Sequence, residues 1–368
     1  MFNFAKHLSP QTVSLCLTAL AILATAAAGN GQEAAPEQPF VKCWEIPTAT
    51  RLVTEPVTDN GTVFLAELGG VVRAVDSHTG GTLWVTELGG NVVSNLLVDD
   101  GRVFAVTTPV GANGDSQIRA IDAGSGVVGK TARVEKMQGG FLMPAEARII
   151  VVSDGGRVVS FSKDLSSTHW SVAAGGKVVG RPDIGHGRVA AAFDSGRLIM
   201  LDLADGREVL NFPVEAKPTG VVAVGPESVI AGDVAGNIFR LEGGKVVWSL
   251  KTGASISHLL HFGDEGVVAA SLDNFVYLID PKSGRVQWRK RNAGRITHRP
   301  LSTDRYLFSA AVGESQVQVT DSAGKSVNVV ELGEGNYVVQ APAISIGGYL
   351  IVTMPDAIAA FSNASCGK

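Results

Sequence analysis

One pattern constrains this chain more than any other. A strand, a tight turn and a second strand recur about every 40 residues along its 368-residue length. The clearest copy is Val71–Trp84, VVRAVDSHTGGTLW. Val72, Ala74 and Asp76 alternate along the first arm, residues 77–81 (SHTGG) supply turn chemistry, and Trp84 lands eight residues after Asp76. The frame returns at Val276–Trp288, with Asp280, Gly284 and Trp288 at the same offsets. It returns again at Val158–Trp170, where Ser162 replaces the aspartate and Trp170 keeps its place. Weaker copies centre on Asp122, Asp202, Glu242 with Trp248, Asp321 and Ser362, the last preceded by Phe361. The steps are about 40 residues, with one of 46. A fixed period of this length built only from short strands predicts a β-propeller, one four-stranded blade per repeat.

The residues Ala74, Asp76, Gly80 and Trp84 resemble the tryptophan-docking repeat of the quinoprotein (PQQ-like) propeller family. The likeness covers roughly residues 42–362. It implies an all-β, eight-bladed propeller in which each tryptophan packs between blades and each glycine makes the turn. That family includes quinoprotein alcohol dehydrogenases and the BamB-like subunit of the outer-membrane β-barrel assembly machine. The motif is structural, so the resemblance implies an architecture rather than an activity.

Length alone would suggest two domains, but the unbroken repeat reads as one. The 44 glycines suit a chain that turns about every ten residues. Net charge is −4, and removing the segment that bears Lys6 makes it −5, which argues against a nucleic-acid partner. The one basic run, Arg289-Lys290-Arg291, follows Trp288 on an expected outer strand, where charge discourages sheet-to-sheet association.

Residues 1–28 read as a secretory signal peptide: Lys6, a mostly apolar run Val13–Ala24, then small residues up to Ala28. An uncleaved anchor is the competing reading, and the run is short for a span. Cys16 follows Leu15, which argues against lipidation and differs from BamB, a lipoprotein. Residues 29–41 read as a flexible leader, and 42–368 as the propeller.

Cleavage would leave Cys43 and Cys366. An exported chain meets an oxidising compartment, where an even pair is expected to bond. In the repeat frame Cys43-Trp44 is a second arm lacking its first, and Phe361–Ser362 a first arm lacking its second. Placed together, they set Cys43 and Cys366 on either side of one hairpin turn, within disulfide reach. The N-terminal strand would thus complete the last blade; two unpaired buried thiols are the alternative.

Within blade one the strands are expected at Arg51–Val57, Thr62–Glu67, Val71–Asp76 and Thr82–Glu87, inner to outer. The long step places an insertion loop at Thr107–Gln117. Signatures of catalysis are scarce. There is no Cys-Cys pair, CxxCH, GxSxG, HExxH or P-loop. His258 and His261 are three apart on an expected strand, so they point to opposite faces and make a poor metal pair.

Aligning the repeats on the turn before their second strands puts Glu55, Asn95, Arg181 and Arg299 in one ring on the innermost strands. His258, His298 and Gln340 are adjacent to that ring. Such a ring lines the central channel of a propeller. Two arginines there could hold an anionic ligand or a partner's carboxylate. They could equally pair with Glu55 and backbone carbonyls in a water-filled channel.

These features together lead us to expect an exported, monomeric, non-catalytic propeller. It would act as a protein-binding scaffold in the periplasm or outside the cell, with an envelope or secreted protein as partner. No cofactor, metal or membrane span is expected after cleavage. A quinoprotein oxidoreductase using PQQ with calcium, or a small-ligand-binding propeller, is the alternative.

Overall fold

The computed structural model describes residues 38–111, 114–345 and 347–366. The signal-peptide segment and most of the leader lie outside these residues. The regular elements among the described residues are all β-strands, gathered into eight antiparallel sheets. Seven sheets use strands consecutive in sequence. The eighth joins Ala343–Ile344, Leu350–Thr353 and Ala357–Ser362 to the N-terminal strand Val41–Pro47, which forms its outer edge. The two ends of the propeller therefore share one sheet, as the split repeat predicts, and the ring closes. Cys43 is disulfide-bonded to Cys366 across that outer hairpin, with Cα atoms 5.3 Å apart. Closing so long a loop, 323 residues, contributes something above about 4 kcal/mol in the chain-entropy model, by restricting the unfolded chain.

The sequence of each blade grades from inside to outside. Second strands are buried along their length: Val63, Phe64, Leu65 and Ala66 in blade 1, and Val189 through Phe193 in blade 4. Their apolar runs are continuous because both faces meet protein. Outer strands alternate instead, as in Val286–Arg291, where one face is wet. Arg289 of the basic run lays its guanidinium over the Phe275 ring, 5.2 Å from the centroid.

The hydrophobic core lies between blades rather than within them. Phe64, Ala66, Val72 and Ala74 of blade 1 pack on Val103, Ala105 and Ile121 of blade 2. Ile351, Ile358, Ala360 and Trp44 of blade 8 pack on Val63, Leu65 and Val75 of blade 1, across the closing seam. No blade can bury its faces alone, so stability belongs to neighbouring pairs.

Each tryptophan docks onto the turn of the following blade. Trp44, Trp84, Trp170, Trp248 and Trp288 donate their indole N–H to the carbonyls of Ser77, Ala123, Leu203, Pro281 and Ser322. These bonds span 2.8–3.2 Å. Under the rings lie Gly80, Gly126, Gly206, Gly284 and Gly324, all at positive φ. A Cβ on Gly284 would sit 2.5 Å from Trp248, so both the backbone and the packing require glycine. The motif aspartate folds the turn: Asp280 accepts from the backbone N–H and hydroxyl of Ser283 at 2.7 Å. Those bonds hold its carboxyl below its ordinary value.

Two expectations need correcting. The inner strand of blade 1 is not Arg51–Val57 but Val57–Asp59, with Leu52 forming only an isolated bridge to Glu67. Pro56 has no N–H to give the ladder, and the chain leaves the sheet there. The insertion is shorter than residues 107–117, because Thr107 pairs with Gln117 and both belong to strands. Blade 3 also differs in detail: with Ser162 in the motif position, Asp164 supplies the turn carboxylate, accepting from both Ser162 and Ser166.

Candidate functional site: the central channel

Backbone pairing fails at one level around the ring. The register slips between Val179 and Asp183 in blade 4 and between Ile256 and His258 in blade 6. In blade 2 the inner edge breaks between Asn91–Val92 and Leu97–Asp99. Blades 7 and 8 keep only Leu301–Ser302 and Ala343–Ile344 as inner strands. Blade 3 alone, among the described residues, pairs Gly140–Ala145 without a shift. Proline enforces several of these breaks: Pro56, Pro182 and Pro300 each follow a ring residue. Bulges of this kind re-aim side chains, and here they aim them at the channel.

Six of the seven residues expected there meet in one place. Glu55, Asn95, Arg181, His258, Arg299 and Gln340 line a single cavity of about 470 Å³. His298 is the exception, standing next to Arg299 in the chain but outside that lining. A second cavity, of about 140 Å³, lies beyond Arg181 and Arg299 and is lined also by Asp183 and His261. Both arginines border both cavities and so form a waist between them.

The ring residues do different work. Asn95 is committed to the fold: its amide donates to the Leu142 carbonyl at 3.1 Å and accepts from the Leu142 N–H at 2.8 Å. Arg181 reaches Glu55 at 3.5 Å, long for a charge-assisted hydrogen bond. Arg299 has no hydrogen bond or ion pair among the described residues, and its buried Nε is unpartnered. Of the two readings left open by the sequence, pairing with Glu55 thus holds loosely for Arg181 and fails for Arg299.

The histidines divide between the compartments. His258 donates from Nε2 to the Thr297 carbonyl at 3.0 Å, and burial pushes its pKa below the ordinary value. Burial thus favours its neutral form. His298 is likewise pushed down by burial. His261, beyond the waist, bonds to Asp183 at 3.0 Å, which raises its pKa. His258 and His261 therefore share no ligand position. The repeat alignment does not single out Asp183. Its available signal was a place two residues past Arg181, where strand alternation returns a side chain to the same face. Asp183 also accepts the Ala223 N–H at 2.8 Å, tying blade 4 to blade 5.

Glu55 is the only carboxylate in the larger cavity, and the Asn95 amide is taken by Leu142. Among the described residues no group of three or more His, Cys, Asp or Glu side chains converges as a metal site.

Comparison with known proteins agrees with this architecture. The family described as outer membrane protein assembly factor BamB matches residues 38–129, 114–239 and 235–356. No curated protein matches the chain. The crystal structure of BamB from Moraxella catarrhalis superposes with a TM-score of 0.64 at 13% identity, covering 88% of this chain and 99% of that one. A computationally designed protein, Ika8, superposes with a TM-score of 0.70 at 15% identity, over 88% and 99%. At such identities the likeness to solved structures concerns the fold. The family match spans nearly the whole described region, and the chain belongs to the BamB-type family of PQQ-like propellers.

Proposed function

We propose that this protein is an exported, monomeric and non-catalytic scaffold that binds a protein partner in the cell envelope. The observation that carries this reading is the family match over residues 38–356, whose description names outer-membrane protein assembly. The disulfide between Cys43 and Cys366 supports an oxidising compartment. Among the described residues no helix is long and apolar enough to cross a membrane. Recognition would use the short blade turns and the channel mouth. Turns pinned by docked tryptophans hold their side chains in place before binding, which keeps the ordering cost of association small.

Co-purification from native envelope extract tests this reading. Recovery of β-barrel assembly components with the protein is expected. Their absence, together with dye-linked oxidation of an alcohol or sugar on adding pyrroloquinoline quinone and Ca²⁺, would replace the scaffold with an oxidoreductase.

A further inference from the structure

We propose that the waist formed by Arg181 and Arg299 is a binding site for a carboxylate. The inference goes beyond the scaffold reading and does not depend on it. Three observations carry it.

The first is the charge lining the waist. Arginine keeps its proton at any physiological pH, so the waist holds two permanent cations. Glu55 is the one carboxylate beside them in the larger cavity, and its contact with Arg181 is a loose 3.5 Å. Asp183, on the far side, is already bonded to His261 and to the Ala223 N–H. Burial disfavours the charged form of His258. The two guanidiniums thus face one carboxylate in each cavity, and neither Glu55 nor Asp183 hydrogen-bonds to Arg299.

The second is the unpartnered donor. Arg299 Nε is buried without a hydrogen bond, and an unsatisfied buried charged donor is costly to keep. An apolar side chain of similar size would be more stable at that position. Burial and the nearby Arg181 press on the ionised state of Arg299, and Glu55 and Asp183 act against them.

The third is preparation of the space. Arg181 and Arg299 each precede a proline at a break in the inner strand, which fixes the backbone from which they reach. The adjoining cavity of about 470 Å³ is within the range of small-ligand sites. Guanidinium groups match planar carboxylates through paired N–H bonds.

The carboxylate can come from a free small acid or from the C-terminus of a partner chain, and one experiment separates them. Titrate the purified protein by calorimetry and thermal melting with succinate, with inorganic phosphate, and with acetyl-trialanine in its free-acid and amidated forms. Ionic strength is matched throughout with chloride. Saturable binding of succinate supports a free acid, and binding of only the free-acid peptide supports a chain terminus. Arg299→Met should weaken whichever carboxylate binds by about tenfold or more, the loss expected for a charge-assisted bond. Arg289→Met, on an outer strand, should leave binding unchanged. A response to phosphate with none to either carboxylate overturns the ligand class. No response to any probe, or equal binding by Arg299→Met, overturns the site. Neither failure bears on co-purification with an envelope partner, which tests the scaffold reading separately.

Discussion

The outer hairpin belt and the inner channel ring are built from the same repeats but obey opposite rules. In the belt every tryptophan finds a carbonyl and a glycine on the next blade, from Trp44 on Gly80 to Trp288 on Gly324. In the ring the repeats diverge, pairing breaks, and Arg299 is left without a partner. The belt repeats one solution at each tryptophan; the ring does not, and satisfies Asn95 and His258 while leaving Arg299 unpaired. Stability is therefore concentrated where the sequence is periodic, and the proposed recognition where it is not.

The largest effect should come from the belt. Trp170→Ala removes a buried indole and its bond to Leu203, and should cost about 3–5 kcal/mol in urea unfolding. A loss under about 1 kcal/mol would mean the seam is held by something else.

A sharper contrast uses two glycines with nearly the same backbone. Gly284 has φ +71° under Trp248, while Gly187 has φ +72° with nothing within 4 Å. Gly187→Ala bears only the left-handed strain, about 1–2 kcal/mol. Gly284→Ala adds the clash and should cost about 2–5 kcal/mol in the same assay. Equal losses would separate the glycine requirement from tryptophan docking.

Three seams lack a tryptophan, and they sharpen the comparison within the belt. At the 2–3 seam Lys130 occupies the place and pairs with Asp164 at 3.0 Å, both groups well exposed. Lys130→Ala should therefore change stability by only about 0.5 kcal/mol or less. At the 4–5 seam Leu210 stands in, buried against Leu241, and a cavity of about 370 Å³ lined by Phe212, Phe239 and Val246 opens nearby. At the 7–8 seam Asn328 pairs opposite Val319 and donates to the Gln38 carbonyl.

The sequence pattern showed the belt almost completely and the ring only in part. Asp76, Gly80 and Trp84 announce the fold because one geometry is repeated and each copy confirms the others. Even the seam was readable, since Cys43-Trp44 and Phe361–Ser362 are two halves of one motif. The ring was readable as a set of positions, because equivalent residues fall at equivalent depths. Its chemistry was not. Whether Asn95 serves Leu142, or Arg299 serves nothing, depends on slips in the inner-strand register, and these follow no period. Pro56, Pro182 and Pro300 were the visible trace of those slips. Asp164 shows the same lesson locally, taking over a turn two residues from where the motif places its carboxylate.

The smallest effects are electrostatic and belong to the channel. The His258 pKa lies below its unfolded value through burial, with Arg299, Glu55 and His298 nearby. Its contribution favours folding above about pH 6.5 and is lost as pH falls below it, because the unfolded chain then binds more protons. The His261 pKa is raised by its bond to Asp183, against burial and Arg299. Its contribution is present below about pH 6.5 and is lost as pH rises through the folded value. Unfolding midpoints across pH 5–8 should flatten on the acid side in His258→Gln and on the neutral side in His261→Gln. The same change in both variants would contradict the two-compartment channel.

The division between a belt that folds the protein and a ring that binds is tested most directly by the urea midpoint of Arg299→Met in carboxylate-free buffer. If Arg299 is held for a ligand, removing it relieves a buried charge that has no hydrogen-bond partner, and the midpoint should equal or exceed that of the parent. A clearly lower midpoint would show Arg299 to be a structural member of the blades and would contradict the division.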